Sequence, residues 1–415
     1  MKILYVHQHF KTPDEAGGTR SYEMARRFIA RGHTVAMVCG RTSFFRTPAG
    51  KASPSLAREK VAGIEVIRLN IPYSNCDGIL KQSLSFIRFG LASAWRALRD
   101  DYDVLFTTST PLTAAIPGIV AKTFRRRKVF VFEARDLWPE VPRALGMKNP
   151  LLLAGMSLLE WLGYRCADAC VGLAPGICEG IARRSQPNKR VAMIPNCSDL
   201  NLFKPGQRQE WNTDGIAPSD TVALYAGSHD VANGLDAILD AAAELKRRKR
   251  TDIALVFIGD GQVKSALQRR IQQEQLTRCI MIPALPKEEL SKRMASADIG
   301  MMTFANIPTF YNGTSPNKFF DYIAAGLPVL VNYPGWLADL VRKYRSGLTV
   351  DPEDPAAFAD ALIEMADNPQ RREIMGQNAR RLAEQEFSRD ALGQRLAEFI
   401  EETARGFLEP SVPEP

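Results

Sequence analysis

The sequence has no stretch of eighteen or more uncharged apolar residues. The longest candidate, 150–175, is interrupted by Glu160, Arg165 and Asp168, which excludes a membrane-spanning helix. No secretory leader is visible. Met1-Lys2-Ile3-Leu4-Tyr5-Val6 reads as a strand with no small-residue cleavage site behind it, which points to the cytoplasm. There is no cysteine framework either. The seven cysteines are an odd number, scattered along 415 residues. Cys166 and Cys170 stand one helical turn apart, but no histidine or second cysteine pair completes a zinc pattern. Free thiols in a reducing compartment follow, and no metal site is expected. Low-complexity tracts and short repeats are missing as well.

What is present is an ordinary globular mixture, 45% hydrophobic and 24% charged, long enough for two or three domains. The charge is uneven. Residues 1–200 hold 29 Lys and Arg against 16 Asp and Glu, a balance of +13; the rest hold 54 − 29 = 25 against 46 − 16 = 30, a balance of −5. A basic first half beside an acidic second half suggests two domains with different partners. A basic surface suits nucleic acid, anionic lipid or a phosphorylated acceptor.

Short apolar runs alternate with helical patterns. Strands are expected at 3–7, 34–39, 63–69, 103–107 and 129–133, then at 222–225, 253–258, 280–282, 299–302 and 328–332. Between the two sets the pattern pauses, around 194–220. The fold class is therefore α/β, two doubly wound Rossmann-like domains. Helix 79–98 is amphipathic and basic: Leu80, Leu84, Ile87, Leu91 and Trp95 share a face, with Lys81, Arg88, Arg96 and Arg99 among them. A second basic run follows at Arg125-Arg126-Arg127-Lys128. Such a helix either lies on an anionic bilayer or turns its apolar face to the core.

The stretch 311–329 is the centre of the functional reading. Ser315 is a suitable N-cap and Pro316 a suitable first residue for a short helix, closed by Gly326 and Pro328. A helix start exposes unpaired N–H groups and suits a phosphate. Lys318 in the first turn is mildly unfavourable unless an anion lies nearby. The alternative is a surface helix with a solvated lysine. Asp321, one turn beyond Asn317 and on the side of Lys318, is placed to accept hydrogen bonds from a ribose diol; the alternative is a salt bridge to Lys318.

Other glycine turns fall on the same sheet edge. Gly227 and Gly234 bracket Ser228 to Asn233, and Gly259-Asp260-Gly261 closes a later strand. Ligands of doubly wound sheets sit beyond that edge. In the first half, Gly17-Gly18 lies between strand and helix without the spacing of the dinucleotide fingerprint. Glu133-Ala134-Arg135-Asp136 follows a buried strand, where charge is expensive unless it faces a cleft. His7 and His9 end the first strand as substrate-binding or loop residues.

Several segments, in order and at matching spacing, resemble the family 4 glycosyltransferases of the GT-B fold: Gly17-Gly18, then 30–35 "ARGHTV", 194–203 "IPNCSDLNLF", 227–239 "GSHDVANGLDAIL", 258–267 "IGDGQVKSAL" and 321–329 "DYIAAGLPV". The segments 132–140 and 313–326 are similar to the fucosaminyltransferase-type enzymes of O-antigen and capsule assembly. The resemblance departs from the family pattern in two places. The pair of glutamates with seven residues between them becomes Gly313 and Asp321, and the usual Arg and Lys of the phosphate loop become Ser228 and Asn233.

The resemblance implies two domains facing a cleft, an acceptor-binding domain at 1–200 and a nucleotide-sugar domain at 201–385, with a terminal helix and tail at 386–415 crossing back to the first domain. It implies a metal-independent, cofactor-free, retaining transfer from a UDP-linked sugar to a polyprenyl-diphosphate-linked saccharide, with no nucleic-acid partner. The enzyme would be cytoplasmic, peripheral on the inner face of an anionic membrane. Thr314, Ser315, Pro316, Asn317 and Lys318 would hold the diphosphate together with Gly227, Ser228, Asn233 and Gly259. Asp321 would hold the ribose, and Pro283, Ala284 and Leu285 the base. Arg135, Asp136 and Lys318 are the catalytic candidates; His9, Gly17, Gly18 and Arg20 are the acceptor candidates. A nucleotide-sugar epimerase of the same fold and a non-catalytic nucleotide-binding scaffold are the rival readings.

Overall fold

The computed structural model describes residues 1–15, 17–42, 56–73, 78–206, 211 and 215–408. The frayed tail expected beyond 408 lies outside the described residues, as does part of the polar stretch before 220.

Eight strands form the first sheet: β1 (Lys2–Val6), β2 (Thr34–Thr42), β3 (Leu56–Val61), β4 (Ile64–Tyr73), β5 (Val104–Thr108), β6 (Val129–Ala134), β7 (Ala169–Gly172) and β8 (Arg190–Met193). Their order is β3-β4-β2-β1-β5-β6-β7-β8, parallel except for the β3–β4 hairpin at one edge. The helices are α1 (Arg20–Ala30), α2 (Ile79–Arg99), α3 (Ala115–Phe124), α4 (Glu140–Ala144), α5 (Pro150–Cys166) and α6 (Pro175–Arg184). β5 and β6 are buried at every residue, as strands covered on both faces must be. Right-handed crossovers put α2, α3 and α5 side by side on one face, and α1 on the other. α5 starts where proline and a cap agree: Pro150 opens it, and Asn149 Oδ1 accepts from the N–H groups of Leu151 and Leu152.

The second sheet has six parallel strands: β9 (Thr221–Ala226), β10 (Ile253–Ile258), β11 (Cys279–Ile282), β12 (Ile299–Met302), β13 (Val329–Val331) and β14 (Gly347–Thr349), in the order β11-β10-β9-β12-β13-β14. Its helices are α7 (Asp236–Arg247), α8 (Lys264–Gln273), α9 (Lys287–Ala295), α10 (Pro308–Gly313), α11 (Asn317–Ala324), α12 (Trp336–Tyr344), α13 (Pro355–Asp367), α14 (Pro369–Glu386) and α15 (Arg389–Leu408). This is the two-domain α/β architecture expected from the alternating pattern. β3, β7, β8 and β14 were not anticipated, being short or lying at sheet edges.

In each sheet the order of the strands reverses at one strand. β1 is flanked by β2 and β5, and β9 by β10 and β12. The loops leaving β1 and β9 therefore open at the two switch points, where doubly wound sheets bind ligands. α15 lies on α1 and buries Leu392, Leu396, Ala397 and Ile400 there. Arg31 and His33 both reach Glu401, at 2.7 and 2.8 Å.

Candidate functional site

The α11 helix starts one residue later than expected. Pro316 is its cap, with φ −74° and ψ 128°, and no side chain caps it. Ser315 is corrected from a cap to a link between the domains: its Oγ accepts from the Asn196 N–H at 2.9 Å, and its carbonyl accepts from the Asn196 amide. Thr314 also faces inward, its hydroxyl on the Phe310 carbonyl and its own carbonyl on the Trp336 indole. The free helix start is therefore left to Pro316, Asn317 and Lys318.

Lys318 is buried, not solvated. Its Nζ donates to Asn233 Oδ1 at 2.6 Å and to the Tyr225 hydroxyl at 3.0 Å, and lies 4.3 Å from the Tyr225 ring centroid. Asn233 in turn donates to the carbonyl and hydroxyl of Ser228, at 3.0 and 3.1 Å. The ammonium thus sits on Asn233, one of the two neutral side chains at the expected cation positions, and is linked to the other, Ser228, only through it. Burial pulls its pKa down to about 7, with Asp230 opposing from a distance. A buried ammonium without a carboxylate at contact distance, beside a helix start, is an anion site in its chemistry.

The glycine turns complete the floor. Gly227 and Gly259 lie so close that a Cβ on Gly259 would fall 1.9 Å from the Gly227 carbonyl oxygen. The Gly259 N–H donates to the Ile282 carbonyl at 3.1 Å, which sets Pro283, Ala284 and Leu285 beside this turn at the sheet edge. His229, between the turns, is fully buried with no partner for either ring nitrogen among the described residues; burial lowers its pKa to about 4. Nothing in the sequence marked Tyr225, since an aromatic at a strand end is usually core; His229 lay within the glycine-bracketed segment without being singled out.

Asp321 corrects a second expectation. It does not share a side with Lys318. Its carboxylate lies 3.5 Å from Lys287 Nζ, at the first residue of α9, and burial raises its pKa. That places it toward the segment 283–286 instead of the ammonium. Gly313 is buried, and a Cβ there would lie 3.8 Å from Leu137 of the first domain. A leucine therefore borders the position where the family carries a glutamate.

Across the cleft, Gly18 approaches α11 closely. A Cβ on it would lie 2.9 Å from the Asn317 amide nitrogen. The Gly17-Gly18 loop and the helix start thus meet in one place. His9 lies 4.6 Å from Tyr73 ring to ring, and burial lowers its pKa to about 4. Arg135 and Asp136 follow β6. The Arg135 N–H donates to Ser109 Oγ at 2.8 Å, and Asp136 accepts from the Thr110 hydroxyl at 3.1 Å. Burial raises the Asp136 pKa. His7 is a core residue, its Nδ1 2.7 Å from Ser21 Oγ.

Arg20 is corrected from an acceptor contact to a buried strut. It is paired with Glu133 at 2.8 Å, both side chains almost fully buried, and it donates to the carbonyls of Ile194 and Pro195. Burial alone would raise the Glu133 pKa, but the Arg20 guanidinium holds it low. The pair therefore ties the start of α1 and strand β6 to residues 194–195, just beyond β8. Among the described residues no cluster of three or more His, Cys, Asp or Glu could hold a metal ion.

Residues 207–382 match the model of the glycosyl transferases group 1, and residues 16–197 that of the glycosyl transferase 4-like domain. The chain carries these two glycosyltransferase domains on a GT-B fold. The 4-like match covers β2 to β8 of the first sheet, and the group 1 match covers the whole of the second. A D-inositol 3-phosphate glycosyltransferase of Nocardia farcinica is 29% identical over 198 residues, which are 46% of this chain and 43% of that protein; the chain thus aligns with about half the length of such curated relatives. Among solved structures, the sucrose-phosphate synthase of Thermosynechococcus elongatus superposes with a TM-score of 0.74 at 19% identity, covering 97% of this chain and 98% of the other. The Anabaena protein HepE, in complex with UDP and glucose, gives 0.67 at 17% identity, covering 97% and 100%. At these identities the superpositions speak for the fold alone.

Proposed function

We propose that the protein is a retaining glycosyltransferase that moves a sugar from a UDP-sugar to a lipid-linked saccharide, in the assembly of cell-surface polysaccharide such as O-antigen, capsule or exopolysaccharide. The observation that carries this is Lys318: a buried ammonium held by neutral Asn233 and Tyr225 at the start of α11. The donor diphosphate lies across that helix start, its charge met by Lys318 and the backbone N–H groups, without a metal ion or cofactor. Asp321 and Lys287 hold the ribose, and the base lies along 283–285. HepE, the fold neighbour solved with UDP and glucose, supports a nucleoside diphosphate in this type of cleft.

In the reaction the bond from the anomeric carbon to the leaving phosphate oxygen breaks, and the acceptor oxygen bonds to that carbon on the same face. The acceptor proton passes to the departing phosphate. Lys318 stabilises charge on the leaving group, while Arg135 and Asp136 border the acceptor with His9, Gly17 and Gly18. The donors named are of the hexosyl or N-acetylhexosaminyl class. The likeness to fucosaminyltransferase-type enzymes rests on 132–140 and 313–326.

Incubation with labelled UDP-sugars, with and without membrane lipid extract, tests the reading. Label in the lipid fraction is expected. Isomerised donor without acceptor would instead mean an epimerase, and donor binding with neither product a scaffold.

A further inference from the structure

α2 turns its apolar side outward. Leu80, Leu84, Ile87, Leu91 and Trp95 are each between 48% and 88% exposed, and their spacing lines them along one face. Its inward side carries the small and polar residues Ser85, Ser93, Ala94 and Ala97, all buried, with Phe89. Lys81, Arg88 and Arg99 share the exposed face, and the Arg99 guanidinium lies 4.0 Å from the Trp95 ring centroid. α5 repeats the arrangement: Leu151, Leu158 and Trp161 are exposed, with Arg165 5.4 Å from the Trp161 ring. Between them α3 ends on the exposed Phe124, followed by the basic run 125–128. Large apolar side chains on three adjacent helices form a patch of the kind that marks an interaction surface.

The charge around the patch is predominantly positive. From Gly78 to Phe132 nine Lys or Arg stand against three acids, Asp100, Asp101 and Asp103, a surplus of six. A second copy of the chain would bring this cationic face against itself. An anionic surface meets it without that cost. No helix among the described residues is long and apolar enough to cross a membrane. We propose that the outer faces of α2 and α5 dock the protein on a bilayer leaflet rich in anionic lipid, their apolar stripes at the acyl boundary and their arginines among the phosphates.

The placement suits the acceptor, and here the inference rests on the reading of the acceptor as lipid-linked. On the other side of α2, Ser85 lies 3.3 Å from the Gln8 amide, and the Phe86 ring is 6.3 Å from that of His9, centroid to centroid. The acceptor side of the cleft is therefore one helix thickness, about 10 Å, from the docking stripe. An acceptor anchored in the leaflet would present its saccharide at the mouth of the cleft.

Flotation of the full chain with phosphatidylcholine vesicles, with and without phosphatidylglycerol, tests this. Binding is expected only with the anionic lipid. The double variants Leu84→Glu/Leu91→Glu and Leu151→Glu/Leu158→Glu should each lower vesicle partitioning at least about tenfold while UDP affinity, read as a check on folding, stays unchanged. Wild-type protein that ignores both vesicle types overturns the proposal. So do variants that bind vesicles as well as wild type, or that only dissociate a dimer seen by light scattering. Vesicle binding without any sugar transfer would count against the transferase reading and leave the docking face standing. Transfer to detergent-solubilised lipid without vesicle binding would do the reverse.

Discussion

Lys318 decides most at the scale of single residues. Truncating a charge-assisted contact to a phosphate costs about 1.5–3 kcal/mol, so Lys318→Ala should weaken UDP-sugar binding by about 10- to 150-fold. Arg126→Ala, on the surface run, should leave it unchanged; equal affinities by calorimetry would remove the phosphate role. The lowered pKa of about 7 gives a pH test. Above that pH the free lysine is neutral, and a bound diphosphate favours its charged form, so binding takes up a proton and weakens as pH rises. Titrations in buffers of different ionisation enthalpy should show this uptake, and Lys318→Met should abolish it. Arg20 belongs to stability instead. Arg20→Ala leaves Glu133 buried and unpaired, at a cost of about 3–5 kcal/mol, read by chemical denaturation. Lys318 was legible in the sequence because a cation in a first turn is out of place there. The Arg20–Glu133 pair was not, because two residues 113 apart in the chain show no spacing that joins them.

At the scale of elements, the meeting of α11 and the Gly17-Gly18 loop matters most. Gly18→Val would drive methyl groups into the Asn317 amide. Transfer rate should fall and UDP affinity with it, because Asn317 belongs to the helix start proposed to hold the diphosphate; steady-state kinetics beside UDP calorimetry reads both effects. The position of α11 could be read from Pro316, Gly326 and Pro328, since these residues constrain the backbone by themselves. Ser315 could not be assigned, because a serine before a proline serves as a cap or as a tertiary contact, and Asn196 decides which. The same limit applied to α2. Periodicity locates a stripe of leucines but does not say whether it faces the core, and here the core side is lined by small residues.

At the scale of the molecule, the chain builds two doubly wound α/β domains, and the alternation of apolar runs with helical patterns made that readable in the sequence, whereas their facing one another followed from the resemblance alone. The connection between the domains was less visible. It runs through Asn196 on Ser315, Ser198 on the Phe320 carbonyl at 2.8 Å, and Arg389 on Glu23 at 2.7 Å, contacts that unite distant parts of the chain. Because α15 supplies Leu392, Leu396 and Ile400 to the surface of α1, a chain ended at 385 should lose stability in the first domain. Thermal unfolding followed by proteolysis should show α1 cut earlier than in the full chain.

α15 also imposes an order on synthesis. The first sheet is complete in sequence by Met193, yet the cover of α1 is made from residues 389–408. A ribosome must therefore translate the whole second domain while the first waits with an apolar strip uncovered. In the cell, that interval is when a holding chaperone would have most to do for this protein.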